Sequence, residues 1–407
     1  MPTHVRPNAV LLIITLGILT ATGPFSIDMY LPGLPAIVNE FNADASTVGL
    51  TLSLFFIGLA VGQAFYGPLS DRFGRKRPLL IGFAVYTLAS VACALTPSLG
   101  GLIAMRLLQA LGGCAGVVIA RSAVRDRFEQ REAAGVFSWL VLVTGVAPIT
   151  APIIGGQVIA AFGWRAIFWV LAVFGLICLT LTLWVLPETL PRERRVATPL
   201  RGVLRIYGGL LADRTFIGYA LAGGLFFSSM FAYITGSPFV IIEQYGVAPE
   251  QFAWIFGLNA SGLVITAQLN RWLLRHYSSD TVLRAALMIA VAAALVLLLA
   301  AVSGIGGLFG LLLPLFVCVS CVGLIGPNST ALALAPHGNR AGSASALLGT
   351  IQFALGAASG ALVGALHNDT ALPMAGTIAA CILGAVTCYW LFVQPRPPRL
   401  QEAEAPL

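Results

Sequence analysis

The chain has 407 residues, of which 58% are hydrophobic and 10% charged, whereas a soluble domain carries about 25% charged residues. With a mean hydropathy of +0.90, too little polar surface remains to wet a globule of this size, which excludes a soluble enzyme, a disordered chain and a nucleic-acid binder. The net charge of +7 sits mostly in short Arg clusters between apolar runs, the pattern of loops kept on the cytoplasmic side of a membrane.

Apolar runs cover residues 8–37, 46–69, 78–97, 99–122, 133–160 and 164–187, then 215–242, 250–272, 281–303, 306–331, 340–366 and 371–393. A membrane-crossing helix needs about 20 apolar residues, so the pattern predicts twelve spans in two groups of six. Thr96-Pro97-Ser98 separates the third run from the fourth, and residues 304–307 the ninth from the tenth. The longest polar stretch, Pro187 to Arg214, carries six Arg, three acids and three prolines. The expected organisation is a six-helix bundle over 1–190, a cytoplasmic linker over 191–213 and a second six-helix bundle over 214–407. An even split about a central linker suits two bundles that rock against each other.

With the N-terminus placed inside, 21 of the 23 Lys and Arg fall in inner segments. Arg165 alone lies outside and Arg106 alone lies within a span, so both termini are expected in the cytoplasm. The first run has no small-residue cleavage site with a mature domain behind it and is not read as a removable signal. All seven cysteines lie inside apolar runs and read as packing residues. Cys318 and Cys321 have redox spacing but sit in the tenth run, and the four histidines share no ligand spacing with the cysteines. No metal site is expected. The absence of a Gly-x4-Gly-Lys-[Ser/Thr] motif argues against ATP as the energy source, and no cofactor is expected.

Four motifs carry chemistry. After the second run the chain reads Gly67-Pro68-Leu69-Ser70-Asp71-Arg72-Phe73-Gly74-Arg75-Lys76-Arg77. Gly67 would let a neighbouring helix approach, Gly74 suits a tight turn, and Asp71 can cap a helix or pair with an Arg. The fourth run carries Arg106 and, three residues on and on the same face, Gln109. A charge at mid-helix costs roughly 2.5–3.5 kcal/mol on insertion scales, so Arg106 must face a polar cavity or a partner. The fifth run holds Pro148 and Pro152, one turn apart and kink-forming, followed by Gly155-Gly156, which permit close packing. The first run holds Asp28, the only acid well inside an apolar run and a proton-site candidate by default. Asp28 and Arg106 lie at matching depths at ~1.5 Å rise per residue, so a competition between proton and Arg106 at Asp28 is expected.

The first of these motifs resembles the loop 2–3 signature of the major facilitator superfamily, G-x-L-[ST]-D-R-x-G-R-[KR]-x. That resemblance implies a cytoplasmic gate between two bundles built on Gly67, Asp71, Arg72, Gly74 and Arg75. Arg106-x-x-Gln109-x-x-Gly112 is similar to the helix 4 signature assigned there to proton coupling. Pro148 to Gly156 resembles the helix 5 antiporter signature G-P-x-x-G-G, with Ala151 in place of the Gly before Pro152, and favours export over uptake. Ser26-Ile27-Asp28-Met29-Tyr30-Leu31-Pro32-Gly33-Leu34-Pro35, with Gly326-Pro327-Asn328 through Gly349 and Gln352, resembles the bicyclomycin and chloramphenicol resistance branch (Bcr/CflA) of the drug:proton antiporters.

The resemblance covers essentially the whole chain. It implies an all-α membrane protein of twelve transmembrane helices in two pseudo-symmetric six-helix bundles, with a site near the midplane between them. It also implies a monomer in the inner membrane whose partners are drugs, protons and the lipid bilayer, with Asp28 and Arg106 in proton coupling. Tyr30, Gln109, Trp139, Phe227, Phe231, Asn259 and Gln352 are the candidate cavity residues, since an apolar pocket with few polar anchors suits drug-sized ligands. A proton-coupled importer or facilitator on the same fold is the alternative.

Overall fold

The computed structural model describes residues 7–128, 130–195 and 200–393. Among them every regular element is helical, and twelve helices are long and apolar enough to cross a membrane. Large apolar side chains point outward along their length, such as Leu88 at 70%, Leu313 at 72% and Phe309 at 81% exposure. Water would penalise that belt and hydrocarbon accepts it. The helical form follows because a chain in lipid must satisfy its backbone groups internally.

The first span is broken. Helix α1 (Pro7–Asp28) stops at Asp28, a turn of 3-10 helix follows at Leu31–Gly33, and α2 (Leu34–Phe41) completes the crossing. Pro32 and Pro35 explain the break, since neither carries a backbone N–H and each fits only the first turn of a new helix. Next come α3 (Ala45–Phe73), α4 (Lys76–Leu95), α5 (Leu99–Arg127), α6 (Gln130–Phe162) and α7 (Arg165–Trp184). The segment expected to be a plain linker contains an amphipathic helix, α8 (Leu200–Ala212). The second half holds α9 (Arg214–Pro238), which continues as a π-helical turn at Phe239–Gln244, then α10 (Pro249–Leu273), α11 (Ser279–Ser303), α12 (Gly307–Leu334), α13 (Ala341–Ala365) and α14 (Leu372–Phe392).

Helices α1 and α3–α7 pack mainly on one another, as do α9–α14. Two seams join these bundles, α3 against α13 and α6 against α10. The helix ends form two faces: a basic end, which holds both ends of the described chain, and an opposite end. At the opposite end the turn at Leu31–Gly33 packs on α9 and α10, and α2 packs on the π turn. A methyl group placed on Gly364 would lie 3.3 Å from Ser46 Cα, so α13 and α3 nearly touch there. Lower in this seam Thr350 Oγ1 donates to Ala60 O at 3.3 Å, and beside it the rings of Phe56 on α3 and Phe231 on α9 are 4.1 Å apart. In the other seam, Gly257 sits against the Ile149 carbonyl. The opposite end is therefore closed.

One expectation about glycines comes out differently. Gly67 has nothing within 4 Å of where a Cβ would stand, so no helix approaches it. The close approach lies deeper, at Gly112 of α5, where a Cβ would fall 2.6 Å from Tyr86 N of α4. Gly112→Ala is expected to destabilise the fold by about 1–3 kcal/mol through overpacking. Gly67→Ala is expected to stay within about 1 kcal/mol. Thermal unfolding of both variants in detergent checks the contrast.

Candidate functional site

Two charged residues lie deep in the first bundle, and the structure points them in different directions. Arg106 is fully buried. Its guanidinium carbon lies 4.1 Å from the Phe55 ring centroid, 4.6 Å from that of Tyr30 and 5.8 Å from that of Phe168. Its Nη1 donates to Gln109 Oε1 at 2.6 Å, and Gln109 Nε2 in turn donates to Ser90 Oγ at 2.8 Å. Cation–π attraction to three rings and one charge-assisted hydrogen bond offset part of the desolvation cost. Nε and Nη2 of Arg106 have no partner among the described residues.

Asp28 is 4% exposed and stands at the break between α1 and the following turn. It makes no hydrogen bond or ion pair among the described residues. The turn that follows it packs on α9 and α10 of the second bundle, and its charge is felt at Tyr233 of α9. Tyr233 accepts a hydrogen bond from Asn259 Nδ2 of α10 at 3.0 Å and stacks on Phe256 with centroids 5.1 Å apart. Asp28 and Arg106, expected to compete with a proton for each other, are not joined by an ion pair in this structure. The reason is angular, because Tyr30 turns its ring onto Arg106 while Asp28, two residues earlier, precedes the break.

Met29 carries a further constraint. Gly155 of α6 packs directly on the Met29 backbone, and a Cβ there would lie 2.8 Å from Met29 Cα. On the next residue, a Cβ at Gly156 would lie 3.3 Å from Ala253 Cβ of α10. The Gly155-Gly156 pair thus fits α6 between the break that carries Asp28 and the second bundle. Pro152 and Pro148 lie one and two turns earlier in the same helix.

The candidate cavity residues divide. Phe227 and Phe231 meet edge-on at 5.0 Å between centroids and share Phe353 of α13 at 6.2 and 5.8 Å. Asn259 belongs to the Tyr233 pair, and Gln352 is half-buried on α13 beside Gly224. Tyr30 and Gln109 are corrected: both are core residues of the first bundle, with Tyr30 Oη donating to Thr51 Oγ1 at 3.0 Å. Trp139 is 60% exposed and joins neither cluster.

The motif expected to be a loop is mostly helix. Gly67 to Phe73 continue α3, and the chain turns only at Gly74 and Arg75. Gly74 has φ +88°, a conformation that favours glycine. Arg75, 5% exposed, donates from Nη1 to Asp71 Oδ1 at 2.6 Å and from Nε to Asp126 Oδ2 of α5 at 2.8 Å. Glu188, after α7, accepts from the Arg75 backbone N at 2.8 Å. Arg72 instead lies over the Phe73 ring. All these partners belong to the first bundle or the segment leaving it, so the expected gate between bundles is here a clamp within one. Asp126 and Glu188 escaped the sequence reading; an acid between Arg125 and Arg127 was the available signal for the first.

Arg75→Gln should cost about 1–3 kcal/mol, because Asp126 loses a charge-assisted partner while partly buried. Hydrogen exchange of the first turn of α4 should quicken in that variant, and unchanged exchange would contradict the clamp.

Comparison with known proteins agrees with this architecture. The Major Facilitator Superfamily profile matches residues 16–361. An uncharacterized MFS-type transporter, YdgK of Bacillus subtilis (strain 168), is 38% identical over 379 residues, covering 92% of this chain and 94% of the relative. A bicyclomycin resistance protein homolog of Haemophilus influenzae is 34% identical over 385 residues, covering 95% and 96%. The multidrug resistance protein MdtL of Shigella dysenteriae is 30% identical over 331 residues, covering 81% and 82%. Among solved structures, an inward-facing, occupied bacterial homolog of the human lysosomal transporter Spinster superposes with a TM-score of 0.74 at 15% identity, covering 95% of this chain and 97% of that one. A D-xylose–proton symporter gives 0.73 at 16% identity, covering 94% and 98%. At that identity the likeness speaks for the fold alone. A chain of twelve apolar helices in two bundles, matched by this profile and these relatives, is a multi-pass membrane transporter of the major facilitator superfamily and belongs to its bicyclomycin-resistance branch.

Proposed function

We propose that this transporter exports small, largely apolar drugs across the bacterial inner membrane in exchange for protons, with both termini in the cytoplasm. The single observation that carries the coupling is Asp28: a buried carboxyl with no ion partner among the described residues, just before the turn that packs on α9 and α10 of the second bundle. The names of the resistance relatives support export of drugs. The concentration of Lys and Arg at the basic end supports its cytoplasmic placement.

The mechanism follows from the cost of charge. An ionised carboxylate inside the membrane costs roughly 2.5–3.5 kcal/mol on insertion scales. Closing the opposite end over Asp28 removes its water and supplies no cation, so closure favours the protonated acid. In this reading Asp28 takes a proton from outside, and the outer end then closes. The proton leaves toward the cytoplasm as drug enters between the bundles near Phe227, Phe231 and Phe353. Ionised Asp28 then favours reopening to the outside. Arg106 does not receive the Asp28 carboxylate; its part is to hold Tyr30, and with it the break, in place. One charge crossing supplies about 2.3 kcal/mol per 100 mV, which sustains roughly a fifty-fold gradient of a neutral drug at ~1.4 kcal/mol per tenfold.

Inside-out vesicles energised to a pH gradient test this reading with a panel of drugs. Drug-evoked proton release that Asp28→Asn abolishes is the expected result. Release that survives Asp28→Asn would move the coupling elsewhere, and proton movement in the sense of substrate uptake would favour the importer. Gly155→Ala leaves Asp28 chemically intact but pushes on the Met29 backbone. An overpacking cost of about 1–3 kcal/mol corresponds to a loss of roughly fivefold to a hundredfold in drug-evoked release at ~1.4 kcal/mol per tenfold.

A further inference from the structure

Beside the Arg75 clamp, at the basic end, a groove of about 580 Å³ opens between the start of α4 and the segment after α7. Lys76, Arg77, Arg192 and Arg195 line it, with Glu188 as the one acid. Glu188 is already committed: it accepts from the Arg75 and Lys76 backbone N–H groups and pairs with Arg195 at 3.5 Å. Lys76 Nζ donates to the Leu183 carbonyl at 2.8 Å. The Arg77 and Arg192 side chains are exposed and have no hydrogen-bond or ion-pair partner among the described residues. Below this cationic mouth the surface turns apolar at once. Ile81 and Leu88, two turns apart on α4, are 66% and 70% exposed, and Trp184 at the end of α7 is 80% exposed.

A cluster of uncompensated cations above an apolar strip, at the level where two membrane helices end, is complementary to an amphiphile with a negative head. We propose that this groove binds the phosphate headgroup of an anionic phospholipid, received by Arg77 and Arg192, with its acyl chains along α4 and α7. The strip belongs to the lipid-facing belt, so the groove opens at the level where phospholipid headgroups lie, a placement that a soluble anion does not require. Arginine suits the task because its planar fork pairs with phosphate oxygens two at a time. The bound headgroup would also hold the segment carrying Glu188 against α4, next to the clamp on Arg75.

The test is native mass spectrometry of the full-length protein, with phosphatidylglycerol, phosphatidylcholine and inorganic phosphate as separate probes. Phosphatidylglycerol should be retained in preference to phosphatidylcholine. The double variant R77Q/R192Q should weaken its retention about tenfold or more, and millimolar phosphate should not displace it. R205Q, a basic residue exposed on α8, should leave retention unchanged. Equal retention of both lipids, displacement by phosphate, or an equal loss in R205Q would overturn the proposal. The substituted side chains have no partners to lose among the described residues, so an unchanged unfolding temperature is expected and separates lost binding from lost folding.

Discussion

A charge inside a hydrocarbon layer must be paired, caged or neutralised, and this constraint governs the arrangement of the first bundle. Arg106 is caged: three aromatic rings surround its guanidinium, and Gln109, itself tied to Ser90, holds one nitrogen. Asp28 is buried and is neither paired nor caged among the described residues. Neutralisation by a proton is the remaining option, and in the proposed cycle that proton is the fuel. The α1 break serves both residues, because it lets Tyr30 turn inward to Arg106 while Asp28 is left at the seam.

The two ends of the molecule use different chemistry. The opposite end closes by close approach of small residues, with Gly364 against Ser46 and Gly156 against α10. Such contacts depend on distance alone and are lost when the bundles separate slightly. The basic end is organised by charge instead. Arg75 gathers Asp71, Asp126 and the Glu188 segment, which makes one corner of the first bundle rigid without binding it to the second. An anionic headgroup in the neighbouring groove would add to that rigidity. A stiff bundle at one end and a separable seam at the other suit rocking of two bodies about a central site.

Much of this was legible in the sequence. The twelve runs and the six-plus-six division follow from hydropathy, and the boundaries at Thr96–Ser98 and residues 304–307 match the ends of α4 and α11. The turn at Gly74 was legible because its motif demands a special φ. What escaped was mostly angular. Hydropathy averages over a window, so it does not see the break after Asp28, where Met29 to Gly33 remain apolar; Pro32 and Pro35 were the available signal. Matching depth did not imply facing, because each residue turns a helix by about 100°, and Arg106 rotates into its own bundle. Helix α8 was hidden by the three prolines and six Arg of the surrounding stretch, although its apolar residues recur at helical spacing. Tyr30 and Gln109 suited a cavity by chemistry, yet the demand of Arg106 for partners drew both into the core.

The central claim is that the protonation state of Asp28 sets whether the opposite end is closed. The most direct measurement is the distance between spin labels at Asn39→Cys and Gln251→Cys, exposed positions on α2 and α10 at that end, recorded as pH is varied in wild-type and Asp28→Asn backgrounds. The account predicts a short distance at acid pH, a longer one as pH rises, and a short distance at every pH in Asp28→Asn. A wild-type distance that ignores pH, or a pH response that persists in Asp28→Asn, would contradict it.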